Sequence, residues 1–120
     1  PVSNSEDDLV VMNGASLHKF LPTLKKGGTL FINSSIVKDP IDRDDITVVS
    51  VPVTEMALEM GNPRVLNIIM LGAYIGYSNA VPEQVIYDGI HHKFEHKPKV
   101  IPLNDKAFKT GLDIGAEARQ

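Results

Sequence analysis

The chain contains no cysteine. That excludes disulfides, zinc thiolate sites and iron–sulfur ligation by its own residues. It carries no excess of positive charge. Its formal net charge is −3, which leaves no electrostatic footprint for nucleic acid or an anionic membrane. It has no long apolar run. The longest, Val65 to Tyr77, is broken by Asn67, Gly72 and Gly76, and falls short of the roughly 20 residues that span a bilayer. The opening Pro-Val-Ser-Asn-Ser-Glu-Asp-Asp has no basic region followed by an apolar one, so it does not read as a signal peptide. A cytoplasmic location is the expectation. One further absence concerns the fold: no strand followed by a Gly-rich phosphate loop opens the chain.

What is present is ordinary for a globular protein. The 120 residues suffice for one domain, and 42% are apolar and 22% charged. Leu9-Val10-Val11-Met12 follows an acidic turn and is apolar without alternation, as suits a strand covered on both faces. Leu17, Phe20, Leu21 and Leu24 then recur at helical spacing, with Ser16 as the expected cap. Pro22 should break or bend that helix. Lys25-Lys26-Gly27-Gly28 reads as its stop, and Thr29 to Ile32 as a second strand. A polar loop from Lys38 to Asp45 leads to a third strand, Ile46 to Val53.

Four helical segments follow. Thr54 to Met60 is short and ends at Gly61-Asn62-Pro63. Val65 to Tyr77 is apolar almost all round. Pro82 opens a third, which runs to about Phe94. Asn104 to Ala118 is the last, weakened by Gly111 and Gly115. The fold class is therefore α/β, with a mostly parallel open sheet and flanking helices. Three strands are few for so many helices, which points to strands missing on the N-terminal side. The lack of an initiating Met fits the same expectation of a partial chain.

Polar residues cluster just past the strand ends: Asn13, then Asn33-Ser34-Ser35, then Thr54-Glu55. Ligands of an open parallel sheet bind outside the carboxyl ends of its strands. One composite binding edge is thus expected. Asn62 and Arg64 are added to it, since a guanidinium fork suits a phosphate or carboxylate. Other constellations carry less. His92 and His96 are four apart, but no third ligand has a persuasive spacing, and Lys93, Lys97 and Lys99 surround them. A solvated basic helix end is the reading. Ser34 and Ser35 lack a nucleophile-elbow context. The Gly27-Gly28 turn into a strand resembles class I methyltransferases, but no Asp-x-Gly-x-Gly turn or ribose-binding acid accompanies it. Gly72 and Gly76 share one face of the apolar helix. They suit either core packing or a subunit interface.

Longer motifs carry a resemblance. Val51-Pro52-Val53-Thr54-Glu55, then Gly61-Asn62-Pro63-Arg64-Val65 and Asn67-Ile68-Ile69-Met70-Leu71-Gly72-Ala73, resemble the gamma subunit or gamma domain of 2-oxoacid:ferredoxin oxidoreductases. Asp8 to Asn13, Ser16 to Pro22, Gly27 to Ser35 and Ile101 to Phe108 match the same family, so the likeness covers nearly the whole chain. The departures are Val53 for the usual Ala, Ile68 for Met, and Asn13-Gly14-Ala15 for Asn-Gln-Pro. The family's opening strand and Gly-x-Gly-Gly-Gln-Gly loop are not here. The resemblance therefore implies that residues 1–120 form the C-terminal part of one Rossmann-like gamma domain.

By the same resemblance, the enzyme decarboxylates a 2-oxoacid oxidatively to an acyl-CoA and reduces ferredoxin, with 2-oxoglutarate slightly favoured over pyruvate. Thiamine diphosphate, magnesium and iron–sulfur clusters would lie in partner alpha, beta and ferredoxin-like subunits, with none of them in this chain. No catalytic residue and no metal ligand is assigned here, and the chain alone should be inactive. Coenzyme A would pass the edge formed by Asn13, Asn33, Ser34, Ser35, Thr54, Glu55, Asn62 and Arg64. Self-association through Val65–Tyr77 is a further expectation. The alternatives are a non-catalytic Rossmann-like nucleotide-binding module, or the related subunit of an indolepyruvate oxidoreductase.

Overall fold

A computed structural model describes residues 7–120. Most of the opening segment read as lacking a leader, including Glu6 of the acidic turn, lies outside the described residues. The chain divides into two compact units, the first ending at Thr54 and the second running Glu55–Gln120.

The first unit is built on a parallel sheet. Strands β1 (Asp8–Val11), β2 (Thr29–Asn33) and β3 (Thr47–Val51) pair in the order β1-β2-β3. The register aligns Val11 with Ile32 and Asn33 with Val51. All five residues of the central strand are buried: Leu30, Phe31 and Ile32 as an apolar run covered on both faces, and the polar Thr29 and Asn33 at its ends. β3 shows the opposite: Thr47, Val48 and Ser50 are exposed. It ends before Pro52, whose missing N–H would interrupt the ladder.

Helix α1 (Gly14–Phe20) returns the chain from β1 to β2. Its cap is Asn13, not Ser16: the Asn13 side chain accepts a hydrogen bond from the Ser16 amide at 2.8 Å. Both residue types can cap, but Asn13 has the extended backbone a cap needs. The helix also ends earlier than the Lys25-to-Gly28 stop. At Pro22 it gives way to a 3₁₀ turn, Leu21–Thr23. Gly27, at φ +84°, then turns the chain into β2. Leu9, Val11, Leu17, Leu30, Ile32 and Val37 form the core of this unit.

Arg43 ties the unit together. It grips Asp45 through two hydrogen bonds, of 2.9 and 2.7 Å, and donates to the carbonyls of Leu21 and Leu24. The hydrogen bond from Arg43 is the main reason the Asp45 carboxyl lies below its ordinary pKa. The same bond raises the pKa of Arg43.

Helix α2 (Val53–Glu59) crosses from the first unit into the second. Gly61, at φ +93°, ends it. Asn62 then caps a 3₁₀ turn, Pro63–Val65, by accepting from the Arg64 amide at 2.9 Å. The Gly-Asn-Pro-Arg motif is thus turn chemistry first. Helices α3 (Leu66–Ser78), α4 (Glu83–Lys93) and α5 (Ile101–Arg119) complete the second unit. α5 begins at Ile101, three residues before the expected Asn104, because Pro102 fits a first helical turn. A 3₁₀ turn, Pro98–Val100, leads into it.

The dominant contact of the second unit is α3 against α5. A Cβ on Gly72 or Gly76 would collide with the backbone at Phe108 and Leu112. A Cβ on Gly111 or Gly115 would collide with the carbonyls of Ile69 and Ala73. All four glycines are therefore absorbed in one intramolecular crossing. Of the two readings of the glycine face of Val65–Tyr77, core packing is the one observed for Gly72 and Gly76, and Gly111 and Gly115, which weaken the last helix by propensity, are its packing partners. The loss of helix propensity, about 1 kcal/mol per glycine, is offset by backbone-to-backbone packing along the crossing.

Ile75, Ile90, Phe108 and Leu112 form a core cluster of this unit. Tyr87 meets Phe108 edge to face, with ring centroids 5.0 Å apart. Burial is the main reason the Tyr87 phenol pKa is raised. Asn67, the polar break in the apolar run, is exposed. No helix among the described residues is long and apolar enough to cross a membrane.

Candidate functional site

The carboxyl end of the sheet is assembled by strand register. β1 ends at Val11, β2 at Asn33 and β3 at Val51, all parallel, so the residues that follow share one edge. Asn13 stands exposed at the start of α1. Ser34 and Ser35 turn the chain away from β2, half-buried. The Ser34 amide still bonds the Val51 carbonyl at 3.0 Å, which holds this turn against β3.

Asn33 is the pin of the edge. It is 2% exposed. Its side-chain N–H donates to Thr54 Oγ1 at 3.0 Å, and its Oδ1 accepts from the Ser35 amide at 3.2 Å. Its carbonyl accepts from the amides of Ile36 and Val37. A buried amide must satisfy both ends, and here one end fixes the serine turn while the other fixes the start of α2. Asn33 therefore shapes the edge, and its neighbours present it.

Two features of the edge have no signature in the sequence. Lys38 folds back, and its Nζ donates to the Ser34 carbonyl at 2.7 Å, which places a cation beside the serine turn. His18 Nε2 and Asp39 Oδ2 are 2.6 Å apart, and the Asp39 carboxylate also lies 3.6 Å from where a Gly14 Cβ would sit. Both Lys38 and Asp39 come from the polar loop. The only signal was charge density, which does not say where a loop will fold.

The eight expected edge residues divide between the units. Asn13, Asn33, Ser34, Ser35 and Thr54 belong to the first, and the sheet gathers them at one end. Glu55, Asn62 and Arg64 belong to the second. Glu55 is exposed in the first turn of α2, and the Arg64 side chain is exposed beyond its 3₁₀ turn.

The histidines take carboxylate partners. His91 pairs with Asp105 at 2.7 Å, and Glu95 lies 3.6 Å from His92 and 3.5 Å from His96. α4 ends at Lys93, so His92 and His96 do not share a helical face. Among the described residues no group of three or more His, Cys, Asp or Glu is placed to hold a metal ion.

Known proteins resemble the chain in sequence and in fold. It is 30% identical over 117 residues to the 2-oxoglutarate synthase subunit KorC of Methanocaldococcus jannaschii, covering 92% of this chain and 59% of that protein. It is 29% identical over 114 residues to the ketoisovalerate oxidoreductase subunit VorA of Methanothermobacter marburgensis, covering 94% of this chain and 24% of that protein. The chain thus spans less than two thirds of the length of either relative.

The fold matches the gamma subunit of a keto/oxoacid ferredoxin oxidoreductase from Geobacter sulfurreducens. The TM-score is 0.82 at 21% identity, over 92% of this chain and 64% of that one. It also matches the 2-oxoglutarate:ferredoxin oxidoreductase of Magnetococcus marinus, with a TM-score of 0.85 at 21% identity, over 92% of this chain and 20% of that one. A family profile described as pyruvate ferredoxin/flavodoxin oxidoreductase aligns with residues 1–114. With nearly all of its length under that profile, the chain belongs to the pyruvate ferredoxin/flavodoxin oxidoreductase family.

Proposed function

We propose that this chain serves as the C-terminal part of the gamma component of a 2-oxoacid:ferredoxin oxidoreductase. The reaction is oxidative decarboxylation of a 2-oxoacid to an acyl-CoA, with electrons passed to ferredoxin. The observation that carries this reading is the alignment of residues 1–114 with the family, which includes the Thr54-to-Ala73 motif. Among 2-oxoacids we favour 2-oxoglutarate, in keeping with the resemblance of the motifs and with the KorC relative.

The chain's own residues suit a supporting role. With no thiolate it cannot ligate an iron–sulfur cluster. None of its described carboxylates and histidines gather as a metal site. Thiamine diphosphate, magnesium and the clusters are assigned to alpha, beta and ferredoxin-like partner subunits. When bound there, thiamine diphosphate supplies the carbanion chemistry. This chain's part is positional. Asn33 holds the serine turn and the α2 start in one arrangement. Asn13, Ser34, Ser35 and Thr54 then offer polar groups on a rigid edge toward coenzyme A or a partner loop. Lys38 adds a cation suited to an anionic group. Glu55, Asn62 and Arg64, on the second unit, are proposed as polar groups of that unit for coenzyme A or a partner.

The test is reconstitution. The chain, extended by whatever precedes Pro1 in its gene, is co-expressed with neighbouring thiamine-binding and cluster-binding subunits. Ferredoxin reduction is then assayed with coenzyme A and 2-oxoglutarate, pyruvate or 2-oxoisovalerate. Turnover by the complex and none by the chain alone is expected. Turnover by the isolated chain would overturn the supporting role. An upstream sequence without a strand and a Gly-x-Gly-Gly-Gln-Gly loop would overturn the assignment of residues 1–120 as part of one gamma domain.

A further inference from the structure

α3 and α4 leave an apolar groove between them. Ile68 and Leu71 form one wall, and Val85, Ile86, Gly89 and Ile90 the other, around a volume of about 270 Å³. Val85 is 53% exposed and Leu71 36%. Gly89 leaves the groove open, since a Cβ there would meet nothing within 4 Å. At the C-terminal end of α4 the groove reaches Lys93 and Phe94. Those two residues also border a second cavity, of about 320 Å³, together with Asn62, Arg64 and Lys97.

The charge around these cavities is one-signed. Among the described residues no Asp or Glu borders either of them, in a chain whose net charge is −3. Among the described residues, no ion pair joins Arg64, Lys93 or Lys97 to a carboxylate. Elsewhere on the same unit, Lys109 is paired with Asp113 at 2.9 Å. Three cations around one cavity repel each other, and a carboxylate placed among them removes that repulsion. Exposed apolar side chains running into a basic rim have the composition of a peptide-docking surface. A small anion would use the rim and leave the groove empty. A second copy of this face would offer the rim no carboxylate, since no Asp or Glu among the described residues borders either cavity.

We propose that this groove docks a segment of a partner subunit. Its apolar side chains fill the space over Gly89 and Val85, and its Asp or Glu side chains reach Arg64, Lys93 and Lys97. The proposal rests on reading the chain as a component of a multi-subunit enzyme, and it names the surface used.

Residues 1–120 hold no native cysteine, so Val85→Cys adds one thiol whose labelling is read on its own peptide. In the reconstituted complex this thiol should lose most of the maleimide reactivity it shows in the isolated chain. Gln84→Cys, on the same helix but bordering neither cavity, should keep its reactivity. A benzophenone on the Val85→Cys thiol should cross-link to one partner segment that contains apolar and acidic residues. Lys93→Glu with Lys97→Glu should weaken assembly about tenfold or more. An assembled complex with 2-oxoacid turnover but an unprotected Val85→Cys thiol would overturn the proposal, as would a cross-link to a second copy of this chain. A protected thiol in a complex without turnover would uphold the groove and remove the enzyme reading instead.

Discussion

The α-carbon of Gly111 lies against α3 so closely that a single added methyl would strike the carbonyl oxygen of Ile69. Gly72 answers from the other side, since a Cβ there would fall 2.9 Å from the Gly111 α-carbon. Backbone rather than side chain forms this contact, so neither helix can yield by a rotamer change. Gly111→Ala and Gly72→Ala should each lower stability by about 1–3 kcal/mol through overpacking. Gly89→Ala on α4 meets open space and should raise it by about 0.5–1 kcal/mol through helix propensity. Urea denaturation of the three variants checks the contrast. Equal behaviour of Gly89→Ala and Gly111→Ala would show that the crossing is looser than described.

Asn33 and Thr54 form a second testable pair. Asn33→Leu removes the hydrogen bonds to the Ser35 amide and the Thr54 hydroxyl from a buried position, which should cost about 1–3 kcal/mol. Thr54→Val removes only one of those bonds and should cost less. A double-mutant cycle measured by chemical denaturation should show coupling between them. Strict additivity would mean that the 3.0 Å contact contributes nothing.

Acid should loosen the first unit through Asp45. Its folded-state pKa is lowered, chiefly by the Arg43 hydrogen bond, so the unfolded chain takes up the proton first as pH falls. The stabilising contribution is complete above the ordinary Asp range, at about 4, and is lost as pH drops through the folded value. Between about pH 7 and pH 3 the wild type should therefore lose stability more steeply than Asp45→Asn. Parallel pH profiles would remove the pair from the account.

Asn67 lies within a helix that is apolar on most sides, yet its side chain is exposed. Asn67→Leu should change stability by no more than about 0.5 kcal/mol. A larger loss on thermal or urea unfolding would reveal a partner for Asn67.

The sequence by itself determined the strands, the parallel sheet and the family. Short apolar runs ended by turn residues have few other readings, and parallel strands that require long connections fix where their polar ends gather. That is why Asn13, Asn33, Ser34, Ser35 and Thr54 could be placed on one edge before any coordinates. It was also possible to place Gly61-Asn62-Pro63 in a turn, because φ, capping and a missing N–H are local properties.

Only the tertiary structure decided what each feature packs against. Gly72 and Gly76 read equally well as core or interface until α5 supplied Gly111 and Gly115 as their partners. Whether Asn67 is buried was open in the sequence, because periodicity gives the composition of a helix but not the face its neighbours cover. Lys38 and the His18–Asp39 pair join the edge through a loop with no periodic signal. Their positions depend on contacts between residues far apart in the chain, which no local pattern encodes.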